Sequence, residues 1–302
     1  MKILYHRDTM HWSINHLVDY TADLILHGLK SLFGEEVVDY PKHDHIYNSY
    51  DDFNIKKLYG KGFTIGGLLA DQPCDRNDIL TKIKNHYFDI VVFNKIPWIH
   101  PEIRDAVLAS YKSTEIVLLD GLDPDTIQDS FLGMGIMFKR ELKVNHNLIF
   151  PISYSYPHDL IPHKVCPKTK IKATVDPRDR STYIYDYQQD YYQDYQTSYW
   201  AVTMQKQGWD CLRHYEILGN RCMPYFINLQ NCPSNICVNL PKNLLIQISS
   251  LIDSFEEHDL IAYQTNDLFN ELHDSIFKHF LKNGTTIAAA RYILDCQLKL
   301  SC

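Results

Sequence analysis

The sequence predicts an α/β protein built on a doubly wound, mostly parallel sheet. In the first half, short apolar segments of strand length alternate with amphipathic segments of helix length. The segment "FDIVVFNKI" (88–96) is the continuous apolar run typical of a strand that is buried on both faces. Strands separated by helices of this length favour a parallel sheet, and a length of 302 residues predicts two domains.

The first half supplies the elements of this sheet in regular alternation. Apolar positions spaced at helical intervals and a capping Ser13 predict the first helix, and Gly34 predicts its end. In chain order the segments are a strand at 2–6, a helix from Ser13 to about Leu32, a strand at 36–40, a long polar excursion at 41–75, a helix at 76–86, a strand at 88–96, a helix opened by Pro101 and a strand at 114–121.

The second half changes character after residue 150. Residues 151–182 are rich in prolines and basic residues, which indicates an irregular crossing between domains. We therefore expect one domain over 1–150 and another over 151–302. The tyrosine-rich segment after residue 182 has the polar spacing of an exposed helix or loop. Its aromatic rings could stack on sugars, but an amphipathic packing segment or a local composition bias is favoured. The remaining segments are a strand at 199–204, a helix at 210–219, a strand at 223–226 and helices from about 242 to the end.

Composition excludes several classes of protein. A net charge of −7 argues against a general nucleic-acid binder, which needs a basic excess to neutralise phosphates. The eight cysteines include no C-x-x-C pair, and the spacing of Cys232 and Cys237 lacks a second ligand pair for zinc. The N-terminus lacks the apolar core of a signal peptide, and no window approaches the ~18 apolar residues of a membrane span. We expect a cytoplasmic protein without a membrane span.

The segment "QKQGWDCLRHYEILGNRCMPYF" (205–226) carries the strongest functional signal. If Asp210 caps the helix, Trp209, Arg213 and Glu216 fall on one face. Gly208 would let the backbone approach a ligand closely, and the helix N-terminus offers N–H groups to an anion. Arg213 can bind phosphate through two hydrogen bonds, and Glu216 can accept the two hydroxyls of a ribose. The alternative is a surface ion pair between Arg213 and Glu216 without a ligand.

The longer segment "SYWAVTMQKQGWDCLRHYEILGNRCMPYF" resembles the donor-binding segment of exostosin-like and related GT-B glycosyltransferases. In that family a strand leads to a glycine-bearing loop, an R-x-x-E helix and a "G-C-I-P" strand. Here the R-x-x-E is Arg213 to Glu216, and "NRCMPYF" stands where "AGCIPVI" is usual, so that Asn220-Arg221 replaces the small-Gly pair. The resemblance implies two Rossmann-like domains that face each other across a cleft. The C-terminal domain would bind a nucleotide sugar and the N-terminal domain a glycan acceptor.

The same resemblance implies a reaction type. Met223 stands seven residues after Glu216, where many retaining relatives have a second glutamate, and this favours an inverting transfer. GT-B enzymes generally need no bound metal, so we expect no cofactor, and UDP is the default nucleotide of the donor. Three histidines at 6, 11 and 16 are spaced by five residues, which suits neither one helix face nor one strand face for a metal.

Catalysis by this route needs a general base for the acceptor hydroxyl and positive groups for the diphosphate. Parallel sheets place ligands at the carboxyl ends of their strands, which here are His6-Arg7-Asp8, Asn94-Lys95 and Asp120-Gly121. The candidates for the base are Asp120, Asp8, His11 and Asp19. The candidates for donor binding are Gly208, Trp209, Asp210, Arg213, Glu216, Arg180 and Lys206, with Lys139 and Arg140 as weaker ones.

Three other functions remain as alternatives at this stage. A retaining transferase of the same fold would use the same donor segment. A non-catalytic nucleotide- or glycan-binding protein would keep that segment and lack the base. A redox enzyme with a dinucleotide cofactor is disfavoured because no G-x-G-x-x-G follows the first strand.

Overall fold

A computed structural model describes residues 1–7, 18–94, 99–127, 129–256 and 259–301. The strands in these ranges are β1 (Ile3–His6), β2 (Val37–Tyr40), β3 (Ile90–Asn94), β4 (Ile116–Asp120), β5 (Ile136–Lys139), β6 (Ile149–Pro151), β7 (Lys170–Lys172), β8 (Ser198–Met204) and β9 (Met223–Ile227). The helices are α1 (Tyr20–Phe33), α2 (Asp52–Ile55), α3 (Ile79–Lys84), α4 (Pro101–Ser110), α5 (Gln188–Gln196), α6 (Leu212–Gly219), α7 (Lys242–Ser254), α8 (Leu260–Thr265), α9 (Asp267–Asn283) and α10 (Thr286–Ser301).

The first sheet has six parallel strands in the order β2-β1-β3-β4-β5-β6. Its strands are buried on both faces, as their continuous apolar sequences predict. One face packs against α1 and α10 through side chains such as Leu26 and Ile293. The other face packs against α3 and α4 through Ile83 and Val107. The prediction of an α/β protein with a parallel sheet covered by helices is therefore confirmed.

The strand order reverses between β1 and β3, because the chain leaves β1 for β2 on one side and returns to β3 on the other. His6 pairs in register with Phe93, so the ends of β1 and β3 lie side by side. A crevice at such a reversal is the usual ligand site of an open parallel sheet. The residues that follow these two strands, 8–17 and 95–98, lie outside the described ranges, and the candidates Asp8 and His11 are among them.

The second sheet has three parallel strands in the order β7-β8-β9. Helix α6 connects β8 to β9, which confirms the compact β-α-β unit that the sequence predicts. The core of this sheet is continuous with side chains of the first half, since Leu24 of α1 and Ile65 belong to the same buried cluster as Leu218 and Met223. The boundary near residue 150 stays a prediction.

The last helix, α10, returns to the first sheet and packs along α1. The two helices approach closely at Gly28, where a Cβ atom would lie 2.1 Å from the carbonyl oxygen of Thr286. His27 adds a hydrogen bond of 2.9 Å from its Nδ1 to the Thr286 hydroxyl oxygen. Gly28 is thus required by packing, because any side chain there would separate the helices.

Several predicted boundaries and two predicted environments were wrong. Helix α1 begins at Tyr20, and Asp19 precedes it as the N-cap, its carboxylate accepting the Ala22 N–H at 3.1 Å. The sequence pattern placed Asp19 inside the helix, whereas it lies just before the first helical residue. The tyrosine-rich segment forms α5, an amphipathic packing helix in which Tyr191, Tyr192 and Tyr195 are buried, so it is not exposed as its polar spacing suggested. The three short strands β5, β6 and β7 were not predicted.

No helix in the described ranges is long and apolar enough to cross a bilayer.

Candidate functional site

The loop between β8 and α6 lies in the interior of the protein. Helix α6 begins at Leu212 with Cys211 as its N-cap, so the prediction that Asp210 caps the helix was wrong. Asp210 is buried, and its carboxylate accepts the Tyr154 N–H at 2.7 Å and the Tyr215 hydroxyl at 2.9 Å. Burial raises the pKa of Asp210 to about 6. Trp209 precedes the helix and does not share a helical face with Arg213 and Glu216.

The amide groups just before α6 are bound by a buried carboxylate, that of Glu141. Its Oε2 accepts the Trp209 N–H at 3.1 Å, and its Oε1 accepts the Asp210 N–H at 2.9 Å. Gly208 gives this carboxylate its space, because a Cβ atom there would lie 2.4 Å from Glu141 Oε1. The close approach that the sequence predicted at Gly208 is thus made by a side chain of the same protein.

Arg140 extends this contact into a network that joins the two sheets. Its guanidinium donates to Glu141 Oε1 at 2.8 Å, to the Asp210 carbonyl at 2.6 Å and to the Gly121 carbonyl at 2.9 Å, and it also pairs with Asp123. The Arg140 side chain is 1% exposed. A guanidinium with this set of partners is not available to a substrate phosphate. Arg140 therefore positions the loop before α6 against the end of β4.

Asp120, a candidate base, lies at the carboxyl end of β4 as predicted. Its Oδ2 pairs with the Lys139 ammonium at 2.9 Å, and its Oδ1 accepts the Leu122 N–H at 3.1 Å. Lys139 also donates to the Pro124 carbonyl and is fully buried. Both oxygens of Asp120 are thus bound, and Lys139, like Arg140, is a structural cation.

The neighbouring strand ends carry buried polar groups. Arg7, just after β1, pairs with Asp23 of α1 at 3.3 Å, and His45 contacts the other Asp23 oxygen at 2.9 Å. The contacts with His45 and Arg7 hold the pKa of Asp23 well below its usual value against the effect of its burial. Asn94, at the end of β3, is fully buried, and its side-chain amide has no hydrogen-bond partner within the described ranges. Charged and amide side chains therefore lie at the carboxyl ends of β1 and β3.

Arg213 differs from these residues because it has no carboxylate partner. Its guanidinium lies 4.9 Å from the centre of the Tyr183 ring. In the part of the chain that the structure describes, no acidic oxygen lies within 4.0 Å of it, and its Nε is buried without a hydrogen-bond partner. Arg213 is the first-turn arginine of α6, next to the positive end of the helix dipole. An arginine in this setting is suited to bind an anion.

Glu216 lies one turn further along α6 and is 7% exposed. Its Oε1 accepts the Thr64 hydroxyl at 2.5 Å, and its Oε2 accepts the Tyr191 hydroxyl at 2.9 Å. Burial raises the pKa of the Glu216 carboxyl above its usual value. Glu216 thus does accept two hydroxyl groups, as the sequence predicted, but both belong to the protein. A ribose could bind there only if Thr64 and Tyr191 moved away.

Thr64 reaches Glu216 from a strained backbone. Its φ is 73°, a value that β-branched residues rarely adopt. The Tyr192 hydroxyl and the Glu216 carboxylate both contact the Thr64 Oγ1. The Thr64 N–H donates to Gln188 Oε1 at 2.5 Å. Such strain persists where the surroundings hold it, and it is concentrated at functional sites. The glycine-rich segment around Thr64 is therefore the element of the described chain that closes over Glu216.

The other candidates for donor binding lie at the surface. Arg180 is exposed in a short 3-10 turn. Lys206 is also exposed, and its ammonium donates a hydrogen bond to the Pro177 carbonyl at 2.8 Å. Neither contacts Arg213 in the described structure. Glu141, Thr64 and Tyr191 are the site residues that sequence reasoning missed. Glu141 could have been identified from the charged triplet Lys139-Arg140-Glu141, which directly follows an apolar segment.

Comparisons with known proteins add no family to this description. The chain matches no family model, and no curated protein resembles it significantly. Within the described ranges, no group of three or more His, Cys, Asp or Glu side chains could hold a metal ion. The resemblance to GT-B transferases therefore rests on the sequence of residues 198–226.

His214, on the buried face of α6, supports a prediction on pH dependence. Its Nε2 donates to the Trp209 carbonyl at 2.9 Å, its Nδ1 accepts from Thr203 at 2.7 Å, and burial lowers its pKa to about 3. An unfolded histidine titrates near pH 6.5, so the unfolded chain binds a proton below that pH and the folded protein does not. This histidine should therefore destabilise the fold by about 2 kcal/mol at pH 5 relative to pH 7.

Urea unfolding of wild type and His214→Gln at several pH values measures this contribution. The loss of stability between pH 7 and pH 5 should be about 2 kcal/mol smaller in the variant, whose side chain does not titrate. Above about pH 7.5 the two curves should run parallel, because the imidazole is then neutral in both states. Parallel curves down to pH 5 would contradict the prediction.

Proposed function

We propose that the protein is a glycosyltransferase that moves a sugar from a nucleotide-diphosphate sugar to a hydroxyl of a glycan. In this proposal residues 1–150 bind the acceptor, residues 151–302 bind the donor, and the two parts face each other in a GT-B arrangement. The reaction is inverting and needs no metal, and UDP is the default nucleotide. The observation that carries the proposal is the buried Arg213, whose guanidinium has no acidic oxygen within 4.0 Å among the described residues.

Arg213 suits the diphosphate leaving group because that group gains charge as the bond to the sugar breaks. A guanidinium binds phosphate through two parallel hydrogen bonds, and such charge-assisted bonds are stronger than neutral ones. Arg213 lacks a carboxylate within 4.0 Å among the described residues, whereas Arg140 has a full set of partners. The positive end of α6 adds to the attraction for an anion.

Glu216 is the proposed ribose ligand in an open form of the site. The carboxylate accepts hydroxyls from Thr64 and Tyr191 at present. A ribose diol offers the same two donors, and it would replace the Thr64 hydroxyl when the strained segment 59–67 leaves α6. Release of the unfavourable φ of Thr64 would offset part of the cost of that opening.

The base remains among the four candidates. Asp120 and Asp19 lie in the described chain, near the carboxyl edge of the first sheet, and Asp8 and His11 lie outside it. Thr21 of α1 packs against Gly121, where a Cβ atom would lie 2.5 Å from Thr21 Oγ1. Because Asp19 and Asp120 are close in sequence to these two residues, they lie in the same region of the protein. A protein that binds nucleotide and glycan without transfer remains the second candidate, since Asp120 is paired with Lys139.

The test is the thermal stability of the protein with a panel of nucleotide diphosphates and nucleotide sugars, without added metal. A ligand that binds the folded state raises the melting temperature. Arg213→Met should weaken nucleotide-diphosphate binding by about tenfold to a hundredfold, since hydrogen bonds to charged groups contribute about 1.5–3 kcal/mol. Glu216→Gln should weaken the binding of nucleosides and of nucleotides equally, because both contain the ribose.

Arg104→Met is the matched control, because Arg104 lies on α4 and pairs with its neighbour Asp105. This variant should bind nucleotides as the wild type does. The proposal is wrong if the folded protein binds no nucleotide diphosphate and no nucleotide sugar of the panel. Nucleotide binding without transfer to any acceptor hydroxyl, and without hydrolysis of the donor, would favour the non-catalytic protein.

A further inference from the structure

A large open cavity lies beside α9 and α10. Its volume is about 910 Å³, and it is lined by the end of α9, the first turns of α10 and residues 158–163. Arg221, which follows α6, also lines it. Arg213 lies in the first turn of α6 and Arg221 follows the other end of that helix, so the two arginines are at opposite ends of α6.

The charged lining of the cavity is mainly basic. Arg221, Lys282 and Arg291 line it together with His158 and His163, and Asp295 is the acidic residue among the lining side chains. The whole chain carries a formal net charge of −7. Three cations around one cavity are therefore a local reversal of the overall charge, and clefts lined by one sign of charge concentrate ligands of the other sign.

In the described part of the chain these three cations form no ion pairs. Within the described ranges, no acidic oxygen lies within 4.0 Å of the Arg221, Lys282 or Arg291 side chains. Asp159 is near the cavity, but its two oxygens contact the imidazoles of His27 and His158. The Nε of Arg221 is buried without a hydrogen-bond partner, and buried donors in folded proteins are normally satisfied.

The position of Arg221 is fixed by its surroundings. Its backbone has a φ of 56°, and its carbonyl accepts the Lys168 ammonium at 2.7 Å. Its guanidinium lies 4.1 Å from the centre of the Phe277 ring, which packs it from one side. A planar cation held in this way keeps its N–H groups oriented, and ordering it on binding costs little entropy.

The two helix ends at the cavity have opposite polarity. The first turn of α10 contributes Ile287 and Ala288 to the lining and brings the positive end of that helix dipole. The last turn of α9 brings a negative end, but Lys282 lies in that turn and compensates it. The electrostatic balance of the cavity therefore remains positive.

We propose that this cavity is a second anion site, which binds a compact oxyanion with two or more negative charges, of the diphosphate type. Arg221 binds the anion from the end of α6, and Lys282 and Arg291 bind it from α9 and α10. The site is separate from Arg213 and does not depend on the transferase proposal. A free diphosphate and the diphosphate of a nucleotide share this chemistry, so the experiment must distinguish them.

The experiment is calorimetric titration of the full chain with inorganic pyrophosphate at constant ionic strength. The test variant is Lys282→Gln/Arg291→Gln, which changes two exposed side chains and leaves the fold intact. We expect pyrophosphate to bind the wild type and the variant to bind at least tenfold more weakly. Lys278→Gln/Lys299→Gln is the matched control, with exposed lysines of the same two helices that do not line the cavity.

Arg213→Met distinguishes the two sites. Pyrophosphate should still bind at the cavity in this variant, and a nucleoside diphosphate should still bind at Arg213 in the Lys282→Gln/Arg291→Gln variant. The proposal is overturned if the wild type does not bind pyrophosphate, if the double variant binds it equally well, or if Arg213→Met abolishes its binding.

Discussion

Replacement of Glu141 by alanine should lower the free energy of unfolding by about 3 to 5 kcal/mol, because it removes one partner of a buried ion pair with Arg140. The carboxylate accepts the N–H groups of Trp209 and Asp210 and pairs with Arg140. Without it, Arg140 stays buried with one carboxylate fewer, and two buried N–H groups lose their acceptor. This is the largest single effect that the structure leads us to expect.

Urea unfolding at neutral pH measures this loss. Glu102→Ala is the matched control, because Glu102 is exposed on α4 and its loss should change the free energy of unfolding by less than about 0.5 kcal/mol. If Glu141→Ala does not unfold the protein outright, its loop before α6 should also become accessible to proteolysis. If the free energy of unfolding of Glu141→Ala is within about 1 kcal/mol of the wild-type value, the change is as small as that of a substitution at an exposed site. That result would refute the role given to Glu141.

The second large effect should come from Gly208→Ala. A Cβ atom at this position would lie 2.4 Å from Glu141 Oε1 and 2.7 Å from its Cδ, well inside van der Waals contact. The carboxylate must then move and lose hydrogen bonds, so we expect a loss of about 3 kcal/mol, the upper end of the usual cost of overpacking. Equilibrium unfolding in urea again provides the measurement.

A double-mutant cycle separates this explanation from backbone strain. The cost of Gly208→Ala should largely disappear in the Glu141→Ala background, because the clashing carboxylate is then absent. If the cost is the same in both backgrounds, the glycine is required for another reason. A ligand approaching Gly208 would be such a reason, and it would return the residue to the role that the sequence first suggested.

The elements of the first sheet could be predicted because their cause is local. Strands such as β3 and β4 are continuous apolar runs, and Pro101 and Gly34 mark helix ends by their own backbone preferences. Strands β5, β6 and β7 have three or four residues each, too few for a periodic pattern to be detected. Their existence depends on pairing with distant strands.

The candidate site was harder to predict because its residues come from distant parts of the chain. Arg213 and Glu216 could be identified as neighbours on a helix, and they are. The partners of Glu216 could not, since Thr64 is 152 residues away in sequence. Asp210 precedes a helix and has the composition of a cap, but Tyr154 and Tyr215 offer its carboxylate stronger buried partners.

The tyrosine-rich segment shows a different limit. Tyr191 and Tyr195 are spaced by four, which places them on one helical face, and this face is the buried one. Polar spacing between the tyrosines suggested exposure, because a phenol is compatible with water and with a core. The tertiary contacts of Tyr191, among them those with Glu216 and Phe63, decide which environment it has.

The packing of α10 on α1 has a consequence for the order in which the protein can fold during synthesis. Leu26 and Leu29 of α1 are buried partly by Ala290 and Ile293 of α10, which are synthesised much later than α1. The first sheet therefore carries an uncovered apolar surface until α10 has been made, although its own strands are made early. Nascent chains of this protein should accordingly need protection from aggregation until α10 emerges from the ribosome.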